Sequence, residues 1–423
     1  MFSELRPSLP FIEGRGKVFC RGCLSPNLFS GLDLGELPIA NELLLAKTDH
    51  LEKFPLCLSV CSDCGLGQVA DVVTPERIFR DYRYLSSMSS TFLKHASDFV
   101  RQQIDSGMFT RSDWVLEIAS NDGYLLKNFL PNEIKVVGIE PAENVAEISK
   151  SLGIHTISEF FSTRLAHQLL AENGYPRLII ANNVMAHVPD LIDFMGGLSV
   201  LCGPRTQISI ENPSLTNILV DMQFDTIYHE HYSYLSAQAV GKLSMMNGLK
   251  LVKVEELSIH GGSNRYWLAS ADQNITEDES VQRMQTTEVS SGLFEPKEWA
   301  NYSSKVAEIL AGLLQWLSHR NENKKRIFGY GAAAKASTIL NSMDVELDHI
   351  QAIADISLEK QTRFMPPPGT RIISPTELFS SNPTDILIFP WNIKSEIASY
   401  LRLNLENEVR LWCAIPEMHE INP

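Results

Sequence analysis

The sequence predicts an α/β protein in three domains: a cysteine-bound N-terminal domain, then two largely parallel sheets wound by helices. Three observations carry this. Two CxxC doublets, Cys20–Cys23 and Cys61–Cys64, stand near the start. From Trp114 onward, short apolar strands alternate with helical patterns, which makes a parallel sheet covered on both faces. From Arg326 a second strand runs into the turn Gly329-Tyr330-Gly331-Ala332-Ala333-Ala334-Lys335-Ala336 and a helix. At 423 residues the chain is also too long for one compact core.

Apolar content of 44% and charged content of 21% are those of an ordinary globular chain. The net charge of −15, from 51 acidic and 36 basic side chains, argues against a general nucleic-acid binder, which needs a basic face for phosphates. No apolar run is long enough to span a bilayer, and Met1-Phe2-Ser3-Glu4-Leu5-Arg6 lacks the build of a signal peptide. Cytoplasmic residence is the expectation. In a reducing compartment clustered cysteines serve as metal ligands rather than disulfides. Each doublet can wrap two thiolates around one ion, and Cys20, Cys23, Cys61 and Cys64 would complete a tetrahedral zinc site. Four thiolates leave no open position, so such a zinc is structural. The doublets lie further apart than in short zinc ribbons. An unmetallated cluster is the plainer alternative, and Cys57 is a spare candidate ligand. Leu37–Asn41 and Phe54–Leu56 read as loop and strand beside the knuckle.

A polar joint, Phe79 to Ser90, carries Tyr82 and Tyr84, which either pack or line a site, and leads into a helical pattern from Phe92 to Ile104. The strand Trp114–Ile118 ends in Ala119-Ser120-Asn121-Asp122-Gly123, a turn of small polar residues at the sheet edge where ligands bind. The next strand, Lys135–Ile139, ends in Glu140-Pro141, about twenty residues on, where Rossmann-like folds grip ribose hydroxyls. Further strands follow at Gly153–Ile157, leading to Phe160, and at Leu178–Ile180, leading through Asn182 to His187. Gln207–Pro213, Leu249–Val254 and the stretch after His260-Gly261-Gly262 read as later strands, and residues 271–298 as a polar linker with some helix. Trp299, Tyr302, Val306, Ile309, Leu310, Leu313, Trp316 and Leu317 recur at helical spacing. Gly329 to Ala334 fits a dinucleotide fingerprint, with Asp355 closing the next strand; alone this suggests a nicotinamide cofactor, but a lone fingerprint is weak. A half-Rossmann unit whose loop holds a substrate phosphate is the preferred reading.

The densest chemistry lies between these domains. Tyr228-His229-Glu230-His231-Tyr232-Ser233-Tyr234 packs two imidazoles, one carboxylate and three phenols into seven residues. A hydrogen-bonded core strand is the plain alternative. A metal site is disfavoured, because His-x-His lacks the helical spacing and third ligand of a zincin.

Taken together, the two CxxC doublets, the Tyr82–Ser90 joint, Glu117 to Gly123, Asn182 to Pro189, Tyr228 to His231, His260 to Ser263 and Gly329 to Lys335 resemble one family. It is that of the S-adenosylmethionine-dependent nucleotide-sugar C-methyltransferases. The resemblance spans almost the whole chain. It implies a zinc-binding domain at 1–75, a class I Rossmann-like methyltransferase domain at 76–290 and a C-terminal Rossmann-like domain at 291–423. It implies a nucleotide-linked 4-keto-deoxysugar, thymidine- or otherwise nucleoside-diphosphate-linked, as substrate, and it leaves the oligomeric state open. Cofactor contacts would come from Tyr84, Glu117, Ala119, Ser120, Asn121, Gly123, Glu140, Pro141, Phe160 and Asn182. Ala119 stands where the family's loop usually has glycine, which adds a methyl near the cofactor, and Cys57 is not a family ligand. Carbon 3 beside the carbon-4 ketone is acidic enough for a side-chain base. His231 suits that role, since an imidazole needs little tuning. Glu230 would orient it, and Tyr228 and His187 would bond the enolate oxygen or sugar hydroxyls. His229 reads as structural. On a regular strand Glu230 and His231 face opposite ways, so the stretch must bend. The competing readings are the same build acting on another ketone or an oxygen, a nicotinamide-dependent sugar oxidoreductase, and a non-catalytic zinc-domain interaction protein.

Overall fold

In the computed structural model, the alternation after Trp114 forms a seven-stranded sheet. Residues 18–422 are described, except 48, 50, 71–72, 80–84, 344–348 and 367–368. Its strands are β1 (Trp114–Ile118), β2 (Lys135–Ile139), β3 (His155–Ile157), β4 (Leu178–Asn182), β5 (Gln207–Pro213), β6 (Leu249–Leu257) and β7 (Ser263–Ser270). Their order is β6-β7-β5-β4-β1-β2-β3. The first five in sequence pair in parallel, while β7 is antiparallel to both β5 and β6. Alternate residues feed two cores, as the period of a strand requires. Leu116, Ile118, Ile179, Ala181, Ile208 and Ile210 pack on one face. Val115, Val136, Leu178 and Ile180 pack on the other, against Phe92, Phe99 and Val100 of the helix Ser90–Asp105. That helix starts where Ser89 accepts a bond from the Phe92 N–H. The strand order reverses between β1 and β4, so the loops after these two strands part and leave a crevice at the carboxyl edge. This is a Rossmann-like sheet with β7 inserted antiparallel between β6 and β5.

The chain divides into two compact units, each drawn from three stretches of sequence. The first holds this sheet and takes residues up to Leu28, Val60–Leu215 and His231–Phe294. Gly67–Gln68 and Ser233–Tyr234 pair antiparallel within it. The stretch expected as a linker with some helix does hold one, and that helix is packed. Glu279–Ser290 is a helix with Val281, Met284 and Glu288 buried. The Glu288 carboxylate accepts bonds from the Ala237 and Gln238 N–H groups at the start of another helix. A buried acid in a polar stretch conceals that packing from a hydrophobicity reading.

The second unit takes Phe29–Ser59, Thr216–Glu230 and the chain from Glu295. Its helix Pro296–Glu322 buries Trp299, Tyr302, Val306, Ile309, Leu313 and Leu317 along one stripe. Its sheet is β8 (Ile327–Tyr330), β9 (Ile350–Ala354), β10 (Ile372–Ile373), β11 (Asp385–Ile388), β12 (Arg410–Cys413) and β13 (His419–Glu420). The order is β10-β9-β8-β11-β12-β13, parallel except for the last pair. The sheet is larger than the half-Rossmann unit expected, because β10 and β13 are two residues each and too short to leave a pattern.

Candidate active site and metal centre

The cysteine doublets build two equivalent turns. The Leu24 N–H donates to Cys20 O (2.9 Å) and the Gly65 N–H to Cys61 O (2.8 Å). Both closing residues are left-handed, at φ 62° and 71°. At Gly65 a Cβ would also stand 2.8 Å from the Phe294 ring. The turns bring Cys20 to 3.6 Å from Cys64, and Cys23 to 3.6 Å from Cys61, sulfur to sulfur. All four ligand atoms lie within 4.8 Å of one another. Hydrogen bonds from Cys20 and then Cys64 pull the Cys61 thiol down to about 2, while bonding to Cys61 and burial push Cys20 up to about 12. Four sulfurs this close can all be thiolates only around a cation. A closed set of soft donors fits structural zinc. Cys57 is not among the four: its thiol donates to Asp33 Oδ1 (3.1 Å). Replacing Cys61 with Ser is expected to take bound zinc from about one per chain to near none and to lower the melting temperature, because binding is coupled to folding. Metal analysis and a thermal scan check both.

At the end of β1 the chain turns sharply, with Ala119 at φ 56°, Asn121 at 50° and Gly123 at 77°. A left-handed alanine costs about 1–2 kcal/mol, which glycine would not incur. At Gly123 a side chain is excluded twice, by φ and by Ile154 Cδ1 at 2.5 Å from the Cβ it would carry. Glu140 ties the turn down: Oε2 accepts from the Asn121 N–H (3.0 Å) and Oε1 from the Ala142 N–H (2.9 Å). On the other side, Asn121 Oδ1 and Asp122 Oδ2 accept from the Ser86 and Ser87 N–H groups. Burial pushes Glu140 up to about 7, against the two amide bonds that favour its charge. Glu117 lies well above the ordinary carboxylate range through burial, then through Asp122 and Glu140. Among the described residues, Glu117 Oε2, Ser120 Oγ, Asp122 Oδ1 and Asn182 Oδ1 are buried without a partner. The crevice therefore offers unpartnered acceptors and carboxyls that a cation would help to ionise, which suits a ligand carrying an ammonium, a sulfonium and ribose hydroxyls. Pro141 follows Glu140 half-buried, and Phe160 is 44% exposed. Tyr82 and Tyr84 lie outside the described residues.

Beyond β4, the one-turn helix Met185–His187 brings the His187 ring to 4.7 Å from that of His231, tilted by 55°. Tyr234 meets His231 edge-on at 5.9 Å. The Tyr232 hydroxyl donates to Val73 O (2.6 Å). The chain turns at His229–Glu230. His231 belongs to the first unit and Glu230 to the second. Glu230 Oε1 accepts from both the backbone and side-chain N–H of Asn41 (3.1 and 3.0 Å), and burial raises its carboxyl. His229 Nε2 donates to Phe54 O (3.2 Å), and burial lowers its imidazole. Tyr228 is half-buried just ahead of them.

Two charged clusters escaped the sequence reading. At the end of β5, fully buried Glu211 receives His95 Nε2 (2.9 Å) and Arg265 Nη2 (2.6 Å). Burial alone would raise its carboxyl, but His95 and Arg265 hold it below the usual range. In the second unit, Asp225 opens the stretch toward Tyr228. Its Oδ2 accepts from Trp391 Nε1 (2.8 Å), and its Oδ1 stands 3.8 Å from Lys335 Nζ. Lys335 also lies 4.6 Å over the Trp391 ring. Burial raises Asp225 and lowers Lys335, each against the partner's pull. The lysine of the glycine turn is thus turned inward on Asp225. The turn's acid, Asp355, accepts from the Ala332 N–H (2.8 Å) and the Ser357 N–H (2.9 Å), the same clasp that Glu140 makes in the first unit. A lone histidine in a helix and single acids at strand ends carry no local signal of such partners.

Three family models follow one another along the chain: a zinc binding domain over residues 20–79, a methyltransferase domain over 92–254 and a C-methyltransferase C-terminal domain over 258–416. The chain is 29% identical over 405 residues to C-methyltransferase NovU of Streptomyces niveus, covering 95% of this chain and 96% of that one. Among solved structures, an S-adenosylmethionine-dependent methyltransferase from Anabaena variabilis matches 42% of this chain and 84% of its own, at 14% identity and a TM-score of 0.33. Magnesium protoporphyrin IX methyltransferase from Synechocystis matches 46% of this chain and 88% of its own, at 13% identity and a TM-score of 0.33. No helix among the described residues is long and apolar enough to cross a membrane. The cysteine cluster, the acceptor-lined crevice and the three models in this order make the chain an S-adenosylmethionine-dependent C-methyltransferase with a zinc-binding domain.

Proposed function

We propose that this enzyme methylates a carbon, C-3, beside the ketone of a nucleotide-linked 4-keto-deoxysugar in the cytoplasm, with functional parts at 1–75, 76–290 and 291–423. The observation that carries the reading is the imidazole pair: two rings 4.7 Å apart, one of them just past the end of β4 on the cofactor rim. S-adenosylmethionine supplies an electrophilic methyl group. What the chain must add is a base, a stabiliser for the enolate oxygen and fixed orientation. His231 takes the carbon-3 proton, and the electron pair moves onto the ketone oxygen to leave an enolate. His187 and Tyr228 donate to that oxygen or to sugar hydroxyls, and Glu230 orients the stretch. The acidity of a carbon beside a ketone explains why a base near neutral pKa suffices.

The test is incubation with S-adenosylmethionine and a thymidine-diphosphate-linked 4-keto-6-deoxysugar, with the product's new bond located by NMR. A second incubation without the methyl donor in D2O should exchange the carbon-3 hydrogen. Methylation of a hydroxyl, or of no keto sugar at all, would overturn the reading.

In the cofactor crevice, Glu140 takes the ribose hydroxyls, which bond best to the ionised carboxylate. Its carboxyl titrates at about 7. Cofactor affinity is therefore expected to be full above that value and to weaken toward about tenfold per pH unit below it. Calorimetry at pH 6 and pH 8 checks this. A dissociation constant that does not change between them withdraws Glu140 from the role.

A further inference from the structure

The end of β5 holds an unexplained group. Asn212 is 1% exposed, and among the described residues neither its Nδ2 nor its Oδ1 has a hydrogen-bond partner. An amide buried in that condition is costly, and native proteins keep few of them without a ligand, water or catalytic reason. Its position narrows the reason. β5 pairs with β4, and Asn183, just past the end of β4, donates its N–H to Glu211 O beside Asn212. The one-turn helix that carries His187 packs against β5 and against Ser233–Tyr234, the short strand after His231. Two further orphaned polar atoms flank the same histidines in sequence: Asn183 Nδ2 before His187 and Ser233 Oγ after His231. The cross-strand neighbour of Asn212 is Asn264, whose own amide bonds the Tyr266 hydroxyl (3.4 Å) instead.

We propose that Asn212 binds the acceptor sugar directly, its Nδ2–H donating to the ketone oxygen and to the enolate oxygen that replaces it. Oδ1 accepts a neighbouring sugar hydroxyl. This rests on the carbon-acid reading above and adds the donor that holds the developing charge. As the carbon–hydrogen bond breaks, the proton goes to His231 and the electron pair to the oxygen facing Asn212. A neutral amide suits the task, since it bonds the ketone and the enolate without a change of protonation and gains strength as the charge develops.

The experiment compares wild type with Asn212→Leu, a near-isosteric apolar change, in the full-length zinc-loaded enzyme. Three measurements are made: cofactor dissociation constant, carbon-3 exchange in D2O with the thymidine-diphosphate-linked 4-keto-6-deoxysugar, and thermal unfolding. The expected result is an unchanged dissociation constant, an equal or higher melting temperature, and exchange and methyl transfer slower by about 10²–10³-fold. A purely structural amide would leave both rates at wild-type level, and that result overturns the assignment. Should leucine fail to fold, Asn212→Ala is read in the same way. Failure of wild type to exchange any keto sugar overturns the carbon-acid reading and this assignment together. Normal wild-type exchange with an unaffected variant overturns only Asn212.

Discussion

Replacing His231 with Asn is expected to lower turnover by about 10²–10⁴-fold while leaving the cofactor dissociation constant unchanged. Asparagine keeps a hydrogen-bonding group of similar reach and removes the ability to take a proton near neutral pH. The ring meets those of His187 at 4.7 Å and Tyr234 at 5.9 Å, both in its own unit. Loss of the ring should perturb that packing modestly, and a thermal scan separates the packing effect from the chemical one. The diagnostic measurement is carbon-3 exchange in D2O. If His231 is the base, exchange and methyl transfer fall together. If transfer falls and exchange persists, another group takes the proton, and His187 is the first to examine. An unchanged rate removes His231 from the mechanism.

Asp225→Asn should cost about 3–5 kcal/mol of stability, because it leaves the Lys335 ammonium buried without its counter-charge. The asparagine can still accept from Trp391 Nε1, so the loss isolates the 3.8 Å ion pair rather than the 2.8 Å hydrogen bond. Lys335→Met alone should cost a comparable amount for the mirror reason. The double variant Asp225→Leu with Lys335→Met should recover most of it, since an apolar pair of similar volume often replaces a buried ion pair without loss. Urea unfolding followed by tryptophan fluorescence reports the difference, as Trp391 stands on the pair. Single variants as stable as wild type would show that the pair is not a buried charge cluster in solution.

Much of the architecture was legible because it depends on local chain properties. The alternation after Trp114 marks β1 to β5, since a strand buried on both faces must be apolar and short. The turn after β1 is visible as small polar residues, and its physical cause is the left-handed backbone at Asn121 and Gly123. The acid at the end of β2 is legible by distance, and the four cysteines by spacing, because two turns of equal build hold them. Two-residue strands such as β10 and β13 leave no period to read, and the packing of the helix Glu279–Ser290 is hidden because one of its buried residues is a carboxylate.

The long-range partnerships were not legible. His95 and Glu211 are 116 residues apart, Asp225 and Trp391 166 apart, and Asn41 and Glu230 189 apart. No local preference encodes such a pairing, because each side chain alone is an ordinary polar residue whose role depends on what packs beside it. By itself the sequence determined the cysteine centre, the methyltransferase sheet with its loop and acid, and the histidine-rich stretch as the place to look for a base. Only the tertiary structure decided that Glu230 is held by Asn41 while its neighbour His231 meets the tilted ring of His187, that Lys335 turns inward on Asp225, and that Asn212 is buried with neither amide atom hydrogen-bonded among the described residues. Those facts depend on burial and on contacts between distant elements, and both arise only when the strands and helices close on one another.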